Sequence, residues 1–317
     1  MVDNGVRHWQ VTAEEAGQRL DNFLLRVLKG VPRSHIYKIL RSGEVRVNKG
    51  RARPHYHLNL GDVLRLPPVR SADPAAVPRV SEQLAVDLRE RVLYEDDRVL
   101  VLDKPAGLAV HGGSGIRFGV IEALRQLRPD LRELELVHRL DRDTSGCLLL
   151  SKRRSALRSL HQALREEAVA KRYLALVGGR WREAERVVQL PLRKNTLQSG
   201  ERVVRVDHAQ GKAAQTRFYR EEDLGQGTLL RAELDTGRTH QIRVHLQAIG
   251  HPIAGDPKYG DEPFNEAMRA LGLRRLFLHA ALLAFPHPRD ERIIRVEAPL
   301  PADLQALLER LRAAAKP

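Results

Sequence analysis

A proline-punctuated segment constrains the fold most, because it divides the chain. The stretch PPVRSADPAAVPRVS carries proline at positions 67, 68, 74 and 78. Proline fixes φ and lacks a backbone N–H, so this stretch cannot sustain a helix or a central strand. A chain of 317 residues is also too long for one small core. We therefore predict two domains, at residues 12–68 and 88–317, joined by a linker over 69–87.

The first domain is predicted to contain two short helices and a hairpin. Thr12 followed by Glu15 forms a capping box, and apolar residues at helical spacing then predict a helix over about 13–28. Ser34 is predicted to cap a second helix, HIYKILR. EVRVNKG then alternates and turns at NKG, with GDVLRL as the returning strand.

Positive charge is concentrated in this N-terminal part. The chain has 54 Lys and Arg against 40 Asp and Glu, a net charge of +14, and residues 1–82 hold 14 of the cations against 8 of the acids. A solvated surface is the ordinary explanation of a charge run, but between 29 and 53 Glu44 is the only acidic residue, which favours contacts to RNA phosphates. The predicted RNA-binding residues are Lys29, Arg33, Lys38, Arg41, Arg46, Lys49, Arg51 and Arg53.

Residues 18–66, QRLDNFLLRVLKGVPRSHIYKILRSGEVRVNKGRARPHYHLNLGDVLRL, resemble the S4 RNA-binding domain. Such domains occur on several RNA-acting proteins. The resemblance implies that the small N-terminal domain binds RNA.

Composition excludes several classes of protein. The single cysteine, Cys147, rules out an internal disulfide and a cysteine-cluster metal site, and it fits a reducing cytosol. No apolar run approaches the roughly 18 residues of a membrane span, and the N-terminus lacks a signal peptide. The glycine-rich stretch HGGSGIRFG matches neither nucleotide-binding pattern. We expect a cytoplasmic protein with no metal, no cofactor and no membrane partner.

The second domain is predicted to be α+β. Strand-like runs in RVLYEDDRVLVLDKPAG, ELVHRL, GCLLLSK, KRYLALV, QTRFYR, TLLRAELD and FLHAALLAF follow one another too closely for a helix between every pair. Helices are predicted at SALRSLHQALREE, at THQIRVHLQAIG and at PADLQALLERLR, the last with Pro301 as its first residue. The central sheet should be mixed, mostly antiparallel, and flanked by these helices.

The stretch HRLDRDTSG is the first candidate for chemistry. Asp141 falls on a connection between two strands, where reactive groups are often found. The guanidinium groups of Arg139 and Arg142 favour an ionised carboxylate, which can act as nucleophile or base. Two alternatives remain open. Asp141 and Ser145 can simply cap a turn, or Asp141 and Asp143 can form a D-x-D that chelates a metal or serves as an acid and base pair for glycoside hydrolysis.

The stretch DTGRTHQIRVHL is the second candidate. Thr239 is predicted to cap a helix whose N-terminus faces negative charge, with Arg238 just outside it. His240 and His245 are five residues apart, which is not zinc-ligand spacing on a helix, so we interpret them as structural or RNA-contacting. Tyr173, in KRYLALV, lies on a strand that can line a pocket, although most strand tyrosines are core residues.

Together, HRLDRDTSG, KRYLALV, TGRTHQIRVHL and RLFLHAALLAFPHP resemble the RNA pseudouridine synthases that modify ribosomal RNA, as does the opening YEDDRVLVLDKPAGLAVHGG. The resemblance implies that Asp141 is the essential aspartate, Tyr173 the active-site tyrosine and Arg238 the arginine that pairs with the aspartate. It also implies that Arg139 holds open the place vacated by the flipped base and that Leu278 packs beneath the target base.

The same resemblance implies a reaction. The enzyme would cut the bond from uracil N1 to ribose C1′, turn the base in place and rejoin it through C5, after drawing the uridine out of its stack. The implied partner is 23S ribosomal RNA or a large-subunit assembly intermediate, bound by a monomer. The alternatives are a sugar-transferring or glycoside-acting enzyme that uses Asp141 and Asp143, and a catalytically inert RNA-binding or ribosome-assembly factor.

Overall fold

The computed structural model describes residues 5–28, 31, 33–69, 80–112, 118–131, 133–196 and 202–315. The chain divides into two compact units, Met1–Arg79 and Val80–Pro317. The second unit begins earlier than the predicted residue 88, because a helix at Glu82–Glu90 occupies part of the segment predicted as a linker. The Ser81 hydroxyl accepts a hydrogen bond from Leu84 N and so caps this helix.

The first unit has two helices and a four-stranded sheet. Its elements are β1 Arg7–Gln10, α1 Leu20–Val27, α2 Arg33–Ser42, β2 Arg46–Val47, β3 Gly50–Arg51 and β4 Val63–Leu66. The sheet has the order β1-β4-β2-β3, and each pair is antiparallel. The predicted turn is present: Asn48 and Lys49 have φ of 48° and 67°, the positive values that a two-residue hairpin turn requires. The predicted returning strand is β4, which pairs with β2.

The predicted helix over 13–28 is shorter in the structure. Thr12 N and Oγ1 both donate to Glu15 Oε2, at 3.0 and 2.6 Å, so the capping pair forms. It closes only a turn, because the chain reverses at Gly17, where φ is +80°, and Arg19 then pairs with His57 as a β-bridge. The helix α1 therefore begins at Leu20. The second helix, α2, begins at Arg33 rather than after Ser34.

The second unit contains the remaining elements. They are α3 Glu82–Glu90, β5 Val92–Glu95, β6 Val99–Lys104, α4 Val120–Leu127, β7 Glu135–Leu136, β8 Ser145–Ser151, α5 Arg154–Arg165, β9 Ala170–Val177, β10 Glu185–Gln189, β11 Leu192–Thr196, β12 Arg202–Val206, β13 Gln215–Asp223, β14 Thr228–Leu234, α6 Gln241–Ala248, α7 Glu262–Ala270, β15 Leu278–Pro286, β16 Ile293–Glu297 and α8 Ala302–Ala314.

A ten-stranded sheet forms the centre of this unit. Eight strands follow the order β10-β13-β14-β9-β15-β8-β6-β5, with β16 on β15 and β7 on β8. The β15–β8 pair is parallel and the other pairs are antiparallel, which confirms the predicted mixed, mostly antiparallel sheet. The strands β11 and β12 form a separate two-stranded antiparallel sheet. Among the described residues, no helix is both long and apolar enough to cross a membrane.

The parallel pair β8–β15 depends on one glycine. Gly146 of HRLDRDTSG has φ of +105°, and a Cβ at this position would lie 2.3 Å from the carbonyl oxygen of Ala280. Only glycine permits such a close approach of two backbones. The contact fixes the start of β8 beside β15, and the residues just before β8 are those of the candidate site.

Candidate active site

A buried lysine anchors the loop that carries Asp141. Lys104, at the end of β6, is completely buried, and its Nζ donates to the carbonyl oxygens of Pro105, Leu108 and Arg142 at 2.7, 2.9 and 2.9 Å. Burial lowers the pKa of Lys104 to about 7, opposed by the nearby aspartates. An ammonium group has one proton for each of the three carbonyls. The backbone next to Asp141 is thus tied to the end of β6.

Arg243, on α6, is the arginine that contacts Asp141. Its Nη1 lies 3.2 Å from Asp141 Oδ2, while its Nε and Nη2 donate to the two carboxylate oxygens of Asp256 at 2.7 and 2.8 Å. Asp256 is 1% exposed, and its Oδ1 also accepts from the backbone N–H groups of Lys258 and Tyr259. The bidentate pair fixes the guanidinium plane, so the third nitrogen points at Asp141.

The charges in this array reinforce one another. Burial opposes the charge on Arg243, but its hydrogen bonds and charge attraction to Asp256 and Asp141 hold its pKa above the ordinary value. Burial likewise disfavours the Asp256 carboxylate, and the Arg243 guanidinium outweighs that effect and lowers the pKa of Asp256. The guanidinium is therefore a permanent cation between two carboxylates.

The sequence prediction of Arg238 as the partner of Asp141 was wrong. Arg238 is exposed and precedes α6, and its Nε donates to the carbonyl oxygen of Ala213 at 3.1 Å. Arg243 lies within the helix, three residues after His240, and side-chain atoms of Arg243 and His240 lie 3.2 and 3.9 Å from Asp141 Oδ2. The predicted cap also differs: His240 rather than Thr239 occupies the N-cap position of α6.

A cavity of about 310 Å³ brings the predicted catalytic-domain residues together. Asp141, Tyr173, Arg139, Arg238 and Leu278 all line it. Four further titratable residues that the sequence did not assign to the site also line it; they are His138, Lys171, His240 and Arg243. A cavity of this size is of the order that holds a small ligand.

Tyr173 and Leu278 come from neighbouring strands. Tyr173 lies on β9 and is 7% exposed, and Leu278 begins β15, where it pairs with Ala175 of β9. Burial, with a smaller contribution from the negative charge of Asp141, raises the pKa of Tyr173 well above its ordinary value. The tyrosine is therefore a neutral phenol at physiological pH. Tyr173 and the apolar Leu278 both line the cavity.

Two cationic side chains in the cavity lining form no ion pair with a described carboxylate. Lys171 is two residues before Tyr173 on β9, so both side chains point to one face of the strand. It forms no hydrogen bond or ion pair within the described part of the chain, and burial lowers its pKa, opposed by the negative charges of Asp235 and Glu167. Arg139 is exposed and likewise unpaired within these residues. An anion that enters the cavity would find both groups available.

His138 is neutral and has a defined tautomer. Its Nε2 lies 3.1 Å from Leu149 N and accepts the backbone hydrogen bond, so its ring proton is on Nδ1. Burial, followed by the charge of Lys171, lowers the pKa of His138 to about 4. The His138 side chain is therefore a neutral polar group in the cavity lining.

The D-x-D alternative has little geometric support. Asp143 pairs with its neighbour Arg142 at 3.1 Å and does not belong to the cavity lining that contains Asp141. The described residues include no cluster of three His, Cys, Asp or Glu that could hold a metal ion. The two carboxylates do not share one described site.

The predicted RNA-binding residues of the first unit lie mostly on its surface. Lys29 falls outside the described residues, and of Arg33 only the backbone, at the start of α2, is described. The other six are exposed and form no ion pair with a described carboxylate; they are Lys38, Arg41, Arg46, Lys49, Arg51 and Arg53. Unpaired surface cations are available to phosphates. Their contact with RNA remains a prediction.

Comparison with known proteins identifies the family. The model of the RNA pseudouridylate synthase family matches residues 98–248, and the S4 domain model matches residues 18–64. The ribosomal large subunit pseudouridine synthase C of Pasteurella multocida is 56% identical over 314 residues, which cover 98% of this chain and 96% of that protein. The chain belongs to the RNA pseudouridine synthase family. It is an isomerase with an N-terminal S4 domain.

Other relatives agree with this assignment. The protein of the same name from Escherichia coli (strain K12) is 57% identical over 307 residues, 95% of each chain. Among solved structures, Human RNA Pseudouridylate Synthase Domain Containing 4 aligns with a TM-score of 0.60 at 26% identity, covering 73% of this chain and 96% of that one. The pseudouridine synthase fold with an added S4 domain is thereby confirmed.

Proposed function

We propose that this pseudouridine synthase isomerises specific uridines of large-subunit (23S) ribosomal RNA, either as free RNA or within assembly intermediates. Support comes from the names of the two bacterial relatives that align over nearly their whole length. The net charge of +14 and the unpaired cations of the S4 domain suit a polyanionic partner.

The observation that carries the proposed chemistry is the Asp141–Arg243–Asp256 array beside the cavity. A carboxylate held by a charge-assisted hydrogen bond can attack the nucleoside of an everted uridine or take a proton from its sugar. Attack at C1′, or removal of the proton on C2′, breaks the N1–C1′ bond and releases uracil as an anion, which needs no external acid. The base then turns and its C5 bonds to C1′ as the bond to Asp141 breaks, or as Asp141 returns the proton to C2′, so the carboxylate is regenerated. The proton that C5 then loses is balanced by one taken up at N1, so substrate and product contain the same atoms.

The remaining cavity residues suit the same reaction. Tyr173 can stack on the uracil ring, and Leu278 can pack against it from the neighbouring strand. A neutral phenol is a weak base, so we assign the final removal of the C5 proton to the regenerated carboxylate of Asp141 rather than to Tyr173. Arg139, exposed and unpaired within the described chain, can enter the space that the everted base leaves.

The essential role of Asp141 is tested by a matched pair of variants. Asp141→Asn should lower pseudouridine formation by at least about 10³-fold, because an amide is neither a nucleophile nor a base of useful strength. Asp143→Asn should stay close to wild type, because Asp143 lies outside the cavity lining. The measurement is carbodiimide-based mapping of pseudouridine in an unmodified 23S transcript after incubation with each protein.

Two results would count against the proposal. Full activity of Asp141→Asn would show that Asp141 is not the essential carboxylate. A wild-type reaction without product, under conditions in which the transcript is bound, would favour the inert RNA-binding factor instead.

A further inference from the structure

His240 holds an unusual backbone position at the edge of the cavity. It is the N-cap residue of α6, with φ of 53° and ψ of 21°, a left-handed conformation that residues other than glycine seldom adopt. Its side chain makes no capping hydrogen bond to the helix and lines the cavity instead. Strained residues of this kind occur where the surrounding structure fixes them for a function.

The contacts of Tyr259 define the tautomer of His240. The Tyr259 hydroxyl lies 2.9 Å from Val204 N, whose N–H donates to it, and 2.8 Å from His240 Nδ1. A hydroxyl has one proton to donate. Among the described residues, every proton finds an acceptor only if Tyr259 donates to Nδ1. The imidazole is then neutral, and its remaining N–H is on Nε2.

The Nε2 atom faces Asp141 across a gap. It lies 3.9 Å from Asp141 Oδ2, which is too far for a hydrogen bond. One oxygen atom can nevertheless lie about 2.8 Å from both atoms at that separation. Such an oxygen would accept a hydrogen bond from His240 Nε2–H and donate one to the Asp141 carboxylate. Only a hydroxyl group or a water molecule can do both.

An everted uridine within RNA has a single group of this kind. Its 3′ and 5′ oxygens are phosphate esters without a proton, the uracil carbonyls only accept, and uracil N3–H only donates. The ribose 2′-hydroxyl does both, and it is attached to the carbon next to C1′. We propose that His240 and Asp141 together bind the 2′-hydroxyl of the target uridine, so that the site selects ribose over deoxyribose. This inference rests on the proposed function, because it assumes an everted uridine in the cavity.

The test combines a change in the enzyme with a change in the substrate. The uridine that wild-type enzyme modifies is first mapped, and that position is then prepared as uridine or as 2′-deoxyuridine in a synthetic RNA. Single-turnover kcat/KM on the two RNAs gives a ribose preference for each variant. For wild type we expect a preference of roughly 10²-fold, because the deoxy substrate leaves polar groups of the site unpaired.

The variants His240→Asn and His240→Gln separate the two ring nitrogens. Asparagine tolerates the left-handed backbone but places its amide near the Nδ1 position, so it lacks a donor towards the gap. We expect its ribose preference to fall by about tenfold, the contribution of one hydrogen bond. Glutamine extends its amide nitrogen towards the Nε2 position and should retain more of the preference. His208→Asn, at an exposed histidine outside the cavity lining, should keep the wild-type preference.

Tyr259→Phe gives a second, independent measurement should His240→Asn fold poorly. It removes the hydroxyl that orients the ring and should also reduce the ribose preference. An unchanged preference in the folded variants would overturn the inference, since it would mean that water or nothing occupies the gap. Equal wild-type rates on both RNAs would overturn it too. Failure of wild type to modify the uridine RNA at all would instead overturn the proposed function.

Discussion

The position of Arg243 makes a specific prediction about which arginine supports catalysis. Arg243→Lys keeps the positive charge but replaces a planar fork by one ammonium group, which cannot serve Asp256 and Asp141 together. In the wild type the two bonds to Asp256 measure 2.7 and 2.8 Å and the bond to Asp141 measures 3.2 Å. A lysine that remains with the buried Asp256 leaves Asp141 without its described hydrogen-bond partner.

The magnitude follows from the bonds that are lost. A hydrogen bond to a charged group contributes about 1.5–3 kcal/mol, so loss of the contact to Asp141 should lower kcat/KM by roughly 10- to 150-fold. Arg243→Met removes the positive charge as well and leaves the buried Asp256 carboxylate without its cation, which should reduce the free energy of unfolding by about 3–5 kcal/mol. Single-turnover assays measure the first effect and denaturant unfolding the second.

Arg238→Lys is the matched control for this substitution. It changes an exposed arginine on the same wall of the cavity, where its described side-chain hydrogen bond goes to the Ala213 carbonyl. The change should lower kcat/KM by less than about fivefold, because a fivefold change corresponds to the free energy of one surface hydrogen bond. If Arg238→Lys were impaired more than Arg243→Lys, the assignment of Arg243 as the partner of Asp141 would be refuted.

Three other predictions concern stability and RNA binding. Burial lowers the pKa of His279 to about 4 in the folded protein, whereas an unfolded chain has an ordinary histidine pKa near 6.5. As the pH drops from 6.5 to 4, the unfolded state therefore takes up a proton that the folded state does not, and the free energy of unfolding should fall by up to about 3 kcal/mol. Denaturant titrations should show a flatter pH dependence for His279→Gln; equal slopes would contradict this. Deleting residues 1–68 should weaken binding to rRNA. If each of the six exposed cations contacts one phosphate, the slope of log Kd against log salt concentration should fall by up to about 4. An unchanged slope would show that the S4 domain does not contact the RNA phosphates. Lys171→Met should raise KM and reduce the salt slope by about 1, because the Lys171 ammonium forms no ion pair with a described carboxylate and can bind a phosphate. Arg172→Met, whose side chain pairs with Glu233 at 2.8 Å, should change neither quantity.

The sequence predicted the parts of the site that lie within compact motifs. Asp141 and Tyr173 were chosen from separate stretches, and one cavity contains both. Residue type and a strand–loop context made both residues candidates, since a carboxylate on a connection and a tyrosine on a strand are local features, and the family resemblance then selected them. Arg238 was chosen wrongly because TGRTHQIR holds two arginines, and the choice depends on where α6 begins. That boundary is set by the left-handed His240, which no local propensity predicts.

Local patterns also misjudged several elements. The capping pair of Thr12 and Glu15 is real, but Gly17 and the pairing of Arg19 with His57 end the turn before a helix can form. The helices α3, α4 and α7 were not predicted. They are eight or nine residues long, and short helices are stabilised mainly by packing on the rest of the fold. Long-range contacts, which a single sequence does not show, decide these cases.

The position of Asp256 shows why the rest of the site could not be predicted from the sequence. It follows α6 by a loop and contributes no side chain to the cavity lining, yet it takes two of the three guanidinium nitrogens of Arg243. Arg243 therefore holds Asp141 through one hydrogen bond to Oδ2, and Asp141 Oδ1 has no hydrogen-bond partner among the described residues. A guanidinium shared with a second carboxylate neutralises Asp141 less than a dedicated bidentate partner would. The arrangement keeps one carboxylate oxygen fixed and leaves the other free to react.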